Sequence, residues 1–385
     1  MVKIALIILV ACLFSRSHAG PPVVTNVVAS QRANTKLVDI RYDVSDTDND
    51  LLKVRIEISH DGGNTYAVPA LNLTGDIGAG ITPGADKLIV WNAGIDWDGE
   101  FSETMRVKVI ASDGKGFPGL EWGQEVPPGG FFMGQDGGPE GVGPGRHVNI
   151  PWSYWLSKYE ITVEQYAEFL NTVLAADLVR RVDSDIRANA GAFVGVPYDS
   201  QLYRFGDDIF WNLNKFVVRA DHEQLPIIVP WVGALAFAVH YGYDLPTDAE
   251  WEKAARGPDR DGLSEHWIYP WGNSITTSHA RFSASSRARV GLYQGVDSPG
   301  GLDMANAYGL YDVIGNASEW TRSSHVNLEL YPAIESLNNE VHIYGGSKIV
   351  RGGSFGSSSS DSTLKIYYRS GSGGTGIRVV RRAQP

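Results

Sequence analysis

Cysteine is almost absent from this 385-residue chain, which contains Cys12 and no other. A mature chain without Cys12 would have no disulfide, no thiolate metal site and no cysteine nucleophile. Basic residues are in the minority, with 33 Lys and Arg against 44 Asp and Glu and a net charge of -11. Nucleic-acid binders and partners of anionic lipid usually present a basic face, so this balance disfavours both classes. Beyond the N-terminus, no apolar run is long enough to span a bilayer.

The first 19 residues have the composition of a secretory signal peptide. Lys3 precedes an apolar run from Ile4 to Phe14, and Ser17-His18-Ala19 forms a small-x-small cleavage pattern. Cleavage after Ala19 would remove Cys12. The signal peptide predicts a secreted, periplasmic or cell-surface protein. Two alternatives stay open, namely a buried N-terminal helix and a lipoprotein signal whose cleavage leaves Cys12 acylated.

Residues 20–112 carry the pattern of short strands. Apolar and polar residues alternate strictly in Val38–Val44, and the alternation recurs in Val54–Ile58 and Met105–Val109. Turn-forming residues separate these runs, which predicts an antiparallel β-sandwich of immunoglobulin or fibronectin type III kind. The acidic loop Asp46–Asp50 is compatible with a calcium loop and with a solvated turn.

A linker and a second domain follow. Residues 113–119 are rich in Gly, Pro and polar side chains, as linkers are, so we place the second domain at 120–382. Thr162 followed by Gln165 is a capping-box signature, and the apolar spacing after it predicts a helix over Val163–Leu174.

Two more helices are predicted in this domain. Thr247 with Glu250 forms a second capping box, Glu252 can pair with Arg256 at i,i+4, and Gly257 suits the end of that helix. The run from Trp231 to Tyr241 is apolar on nearly all sides and predicts a buried helix.

Five motifs occur in order within residues 120–382. Together they resemble the formylglycine-generating enzyme family, also called the sulfatase-modifying factor domain. That resemblance implies a variant of the C-type-lectin fold with little regular secondary structure, and an α+β fold class for the whole chain. The motifs are LPTDAEWEKAARG (Leu245–Gly257), YPWGN (Tyr269–Asn273), YGLYDVIGNASEW (Tyr308–Trp320), VRGGSF (Val350–Phe355) and GIRVVRR (376–382).

The resemblance also implies where the family's chemistry would be. Family members bind copper(I) through two cysteines that follow the G-G-S-[FYW] motif, and they oxidise a substrate cysteine to formylglycine. The corresponding positions here hold Ser357 and Ser362. A hydroxyl cannot replace thiolate at copper(I), so we expect no copper and no catalytic residues at these positions. The nine histidines are scattered and suggest neither a serine triad nor an iron site.

A structural calcium ion is the cofactor that the resemblance implies. Its ligands would be the Asp312 side chain, the backbone carbonyls of Gly315 and Ala317, and the Glu319 carboxylate, all of them hard oxygen donors. The alternative is that Asp312 and Glu319 make only turn and capping hydrogen bonds. Ser318 departs from the family's usual tryptophan.

The serine- and glycine-rich stretch from Gly352 to Gly376 has two interpretations, a solvated loop or a binding face. We predict a noncatalytic protein that binds or scaffolds a peptide, protein or glycan, with no nucleic acid and no membrane span. The alternative is a related oxidoreductase that uses a different metal or substrate. A retroelement-diversified variable segment is a further possibility for this stretch. The predicted binding residues are Phe355, Ser357, Ser362, Tyr367, Tyr368 and Arg369.

Overall fold

A computed structural model describes most of the chain after the N-terminus. The predicted signal peptide 1–19 with Cys12, most of the linker 113–119 and four residues of the acidic loop, 47–50, lie outside the described residues. Within the described part, no helix is long and apolar enough to cross a membrane. The described ranges are 22–46, 51–62, 68–112, 116–117, 119–135, 145–193, 195–258, 267–295, 298–324, 334, 347–360, 362–371 and 375–383.

Contacts between residues divide the chain into two units, and the division falls between residues 118 and 119. The elements of the first unit are β1 (Val23–Gln31), β2 (Leu37–Ser45), β3 (Leu52–Ser59), β4 (Leu73–Gly75), β5 (Gly78–Ile81), β6 (Gly84–Asn92), α1 (Ala93–Asp96) and β7 (Arg106–Ser112). The strands pair in the sheet orders β1-β2-β6-β4 and β5-β3-β7, and every pairing is antiparallel. All three predicted alternating runs are confirmed as strands.

The core of the first unit follows from the period-two alternation. Ile40, Tyr42 and Val44 point inward from β2, because side chains two apart lie on the same face of a strand. They share one cluster with Val54 from β3 and Trp91 from β6. Side chains from both sheets therefore bury one another.

The second unit has few helices and many short strands. Its sheets are small, with orders β8-β9, β10-β19, β11-β12-β13, β14-β15 and β17-β16-β18. This composition agrees with the expected α+β class and with little regular secondary structure. The strands are β8 (Gly129–Met133), β9 (Arg146–Ile150), β10 (Tyr154–Leu156), β11 (Val179–Val182), β12 (Asp185–Ala188), β13 (Gln201–Arg204), β14 (Ile209–Asn212), β15 (Lys215–Val218), β16 (Ser318–Ser324), β17 (Lys348–Arg351), β18 (Thr375–Gly376) and β19 (Val380–Arg382).

The three predicted helices are confirmed as α2 (Val163–Ala175), α3 (Trp231–His240) and α4 (Asp248–Arg256). Both capping boxes are formed, since the N-cap hydroxyl of α2 accepts from Gln165 N and that of α4 accepts from Glu250 N. Such caps satisfy backbone N–H groups that have no partner inside the helix. Local chemistry therefore sets where these helices begin.

Every residue of helix α4 is buried. Trp251 and Ala254 pack in a cluster with Met133 of β8, Tyr154 of β10 and Leu310 of the turn that precedes β16. The hydroxyl of Tyr154 donates to the Glu250 carbonyl at 2.8 Å, which fixes β10 against the helix. This packing places the motif Tyr308–Trp320 beside α4.

Candidate functional site

The motif Tyr308–Trp320 forms an irregular turn that is tied to two other segments. Asp312 and Asn316 adopt positive φ of 57° and 52°, and Gly315 has φ 82°. A Cβ on Gly315 would lie 2.4 Å from the Arg281 carbonyl oxygen, so only glycine fits there. Gly315 N donates to the Gly352 carbonyl at 2.9 Å, which joins the turn to the VRGGSF motif.

Three carboxylates are buried against this turn. Glu160 accepts from Asn316 Nδ2 and from Ala317 N, both at 2.8 Å, while Asp312 accepts from Gly291 N at 2.6 Å. Glu319 forms an ion pair with Arg378 at 2.7 Å, in which both side chains are almost completely buried. We call Glu160, Asp312, Glu319 and Arg378 the acidic turn.

The acidic turn holds more negative charge than positive charge. Burial raises the pKa of Glu160 well above its usual range, and the charges of Asp312 and Glu319 raise it further. Burial is also the main reason why the pKa of Asp312 rises to about 6. Arg378 is the one cation of the group, so the three carboxylates repel one another with only partial compensation.

The donor set fits calcium in part. Asp312 and the carbonyls of Gly315 and Ala317 are hard oxygen donors, and the excess negative charge suits a divalent cation. Glu319 fits less well, because Arg378 Nε lies 2.9 and 3.0 Å from its two carboxylate oxygens. In the described part of the chain, no group of three or more His, Cys, Asp or Glu side chains is arranged to hold a metal. A site built partly from carbonyl oxygens is not such a group, so calcium stays a prediction.

Ser357 and Ser362 stand where the family's cysteines would be. The buried Ser357 hydroxyl lies 2.9 Å from Thr363 Oγ1 and accepts from Ser354 N at 3.3 Å. Ser362 begins a short 3-10 helix, Ser362–Leu364, and its carbonyl accepts from Lys365 N at 3.0 Å. The hydroxyl partner of Ser357 is therefore Thr363, which sequence reasoning did not identify.

The predicted binding residues divide into an inward and an outward group. Tyr367 and Arg369 are buried, and Arg369 Nη2 pairs with Asp248 Oδ2 at 2.6 Å. Phe355, Ser362 and Tyr368 keep partial exposure. Arg369 thus holds the loop to helix α4, whereas the outward group remains accessible to a ligand.

A second cluster of buried charge surrounds α4. Arg351 pairs with Asp248 and, at 2.9 Å, with Glu252. Glu252 also pairs with Arg256 at 2.7 Å, as its i,i+4 spacing predicts. We call Asp248, Glu252, Arg256, Arg351 and Arg369 the ionic core. Sequence spacing showed only the pair within α4, because the other two arginines are about a hundred positions away.

The second unit is therefore a strand-rich domain with few helices, in which helix α4 packs beside the turn Tyr308–Trp320. Residues 124–383 match the family model described as the sulfatase-modifying factor enzyme 1-like domain, and the chain belongs to this family. The resemblance seen in the motifs is thereby confirmed.

Relatives of the chain include proteins named as formylglycine-generating enzymes and proteins named as inactive. The mouse inactive C-alpha-formylglycine-generating enzyme 2 is 28% identical over 223 residues, 52% of this chain and 68% of the mouse protein. The bovine formylglycine-generating enzyme is 29% identical over 258 residues, 60% of this chain and 64% of the bovine protein. The chain thus spans slightly less than two thirds of the bovine enzyme.

Two solved structures show a weak likeness. PvdO from Pseudomonas aeruginosa matches with a TM-score of 0.39 and 17% identity, over 67% of this chain and 93% of PvdO. Treponema denticola variable protein 1 matches with a TM-score of 0.37 and 15% identity, over 72% of this chain and 96% of that protein. Neither likeness is close enough to support a functional argument.

Proposed function

We propose that this protein is a noncatalytic member of its family that binds a peptide or a glycan. The observation that carries the proposal is the pair of serines at positions 357 and 362, where the family resemblance places copper-binding cysteines. Copper(I) is a soft ion that selects thiolate, and the Ser357 hydroxyl is instead engaged with Thr363. The mouse relative named as inactive is an independent reason to expect such members.

The binding surface in this proposal is formed by the outward group Phe355, Ser362 and Tyr368. Phe355 is fixed by its backbone, since its N–H donates to Asn316 at 2.9 Å and its carbonyl accepts from Ala284 N at 2.8 Å. A partly exposed aromatic ring on a fixed backbone loses little entropy on binding. The hydroxyls of Ser362 and Tyr368 supply hydrogen bonds to a polar ligand.

Loss of the family's oxidation is tested with purified protein, copper(I), oxygen and a cysteine-containing sulfatase peptide, with the bovine enzyme as the positive control. We expect no formylglycine by mass spectrometry and no oxygen consumption above background. Formylglycine produced by this chain would disprove the noncatalytic assignment.

Ligand binding is tested by screening peptide and glycan arrays with and without calcium. For each hit, we expect Phe355→Ala and Tyr368→Ala to weaken binding, because each removes a partly exposed ring. Ser359→Ala, which changes an exposed serine of the same loop, is the matched control and should bind like the wild type. Hits that both aromatic variants bind unchanged would place the ligand elsewhere.

We also propose that calcium stabilises the acidic turn, with Asp312, Gly315 and Ala317 as the better-fitting ligands. Calcium should raise the melting temperature of the wild type but not of Asp312→Ala, because the variant lacks the side-chain oxygen at the turn. Asp303→Asn, which alters an exposed carboxylate, should respond like the wild type. Equal calcium content and an equal calcium-induced rise in melting temperature for Asp312→Ala and the wild type would refute the site.

For the rest of the chain, we propose export with cleavage after Ala19 and a fibronectin- or immunoglobulin-like first unit. The alternating buried faces of β2, β3 and β6 support the second part. N-terminal sequencing of the secreted protein should begin at Gly20. A lipid-modified Cys12 at the N-terminus would favour the lipoprotein alternative.

A further inference from the structure

Neither the family fold nor the proposed function explains the surroundings of Arg381. It lies on β19, directly across from Trp155 of β10. Its guanidinium carbon is 4.6 Å from the ring centre of Trp122 and 5.0 Å from that of Trp155. Tyr243 packs edge-on against Trp122 at 5.2 Å. Arg381 is therefore stacked between two indoles.

The guanidinium of Arg381 has no anionic partner in the described part of the chain. Its Nε is buried without a hydrogen-bond acceptor there, and no carboxylate of the described residues pairs with it. Burial lowers the pKa of Arg381, because no carboxylate there stabilises its charge. The side chain keeps partial exposure, so a molecule in solution can reach it.

Other arginines near the end of the chain contrast with Arg381. Arg378 is buried on Glu319 at 2.7 Å. Arg382, the next residue, pairs with Glu250 at 2.6 Å and with Asp244 at 2.8 Å. Partly buried arginines are usually paired in this way, because an ionised group away from water needs a counter-charge. The aromatic stack alone compensates Arg381 only in part.

From this geometry we infer that Arg381, held between Trp122 and Trp155, is a binding site for a carboxylate carried by a small ligand. A guanidinium presents parallel N–H groups that match the two oxygens of a carboxylate. The indoles restrict its rotation, so little further entropy is lost on binding. Their edges provide apolar surface beside the charge. The net charge of -11 disfavours an extended polyanion as the ligand.

The site is tested in the full chain with isotope-labelled tryptophan, by following the indole N–H signals of Trp122 and Trp155 by NMR. Benzoylglycine represents a peptide carboxylate and benzoylglycinamide is its neutral control; glucuronate and glucose form the matching pair for a sugar acid. We expect at least one carboxylate to shift both signals and its neutral partner to shift neither. The responding pair identifies the source of the carboxylate.

Variants of Arg381 separate binding from a purely structural stack. Arg381→Gln should abolish the shifts, and Arg381→Lys, which keeps the charge but not the fork, should weaken binding by about tenfold. Arg181, which stacks on Trp211 at 4.9 Å and is exposed, provides the matched control, and Arg181→Gln should bind like the wild type. If Arg381→Gln does not fold, the carboxylate affinity of Arg381→Lys tests the site.

Two results would overturn the inference. One is the absence of carboxylate-specific shifts in the wild type for both pairs of probes. The other is unchanged carboxylate affinity in folded Arg381→Lys and Arg381→Gln. Neither result bears on the surface around Phe355, because that surface does not include Trp122, Trp155 or Arg381.

Discussion

The ionic core and the acidic turn both keep ionised side chains away from water, but they differ in charge balance. In the ionic core, Asp248 and Glu252 face three arginines, and these charges together hold the pKa of Glu252 below its usual value although burial alone would raise it. In the acidic turn, three carboxylates share Arg378, and burial raises the pKa of Asp312. The ionic core is stable as long as its side chains are ionised. In the acidic turn, protons or a cation reduce the repulsion among the carboxylates.

The largest effect is expected when the ionic core loses a carboxylate. Glu252→Ala leaves Arg256 and Arg351 buried without their shared partner, and should reduce the free energy of unfolding by about 3–5 kcal/mol. Chemical denaturation at neutral pH measures the loss. Glu57→Ala removes an ion pair with Arg55 at the surface of the first unit, and should cost less than about 1 kcal/mol. Equal losses in the two variants would mean that the ionic core is not the tightly coupled group described above.

A smaller effect is expected from pH at the acidic turn. The pKa of Asp312 is raised from 3.8 to about 6, so between these values the folded chain binds more protons there than the unfolded chain. Its contribution to stability is therefore fully present below about pH 4 and is lost as the pH rises through about 6, a change of about 3 kcal/mol.

Asp312→Asn isolates this contribution, because asparagine does not titrate. With calcium removed, the variant should gain stability relative to the wild type as the pH rises from about 4 to about 7. Denaturation curves across this range measure the difference. A difference that stays constant with pH would show that Asp312 titrates normally and that the two clusters are alike.

The smallest effect concerns the helix cap that orients the ionic core. Thr247→Ala removes the hydroxyl that accepts from Glu250 N at the start of α4, and should cost about 1 kcal/mol. Thr162→Ala does the same for α2 and should cost a similar amount. Thermal unfolding measures the loss of stability in both variants. A much larger loss for Thr247→Ala would show that the cap also supports the ion pairs of Asp248.

Local chemistry made the helices predictable and left the charge clusters unpredictable. Helix α2 was expected over Val163–Leu174 and ends one residue later, since its cap and apolar spacing lie within the segment itself. Arg369 was expected to contact a ligand, yet it is buried on Asp248. A pairing between residues more than a hundred positions apart has no periodic signal in one sequence.

No helix or strand was predicted over Asp177–Glu223, for a different reason. It forms the strands β11 to β15, each four residues long, which is too short for alternation to stand out. Its tight turns place Asp183 and Leu213 at positive φ, and Leu213 is not a residue that predicts such a turn. The calcium ligands, the binding face and the export signal remain predictions.

The pairing of β10 with β19 has a consequence for how the chain folds. Tyr154 lies opposite Arg382, more than two hundred positions later, so this sheet cannot form until two distant segments of the chain have met. Until then, Glu319 and Glu250 lack Arg378 and Arg382, their partners in the finished fold. We therefore expect the second unit to fold slowly, with its carboxylates kept hydrated until Arg378 and Arg382 are in place.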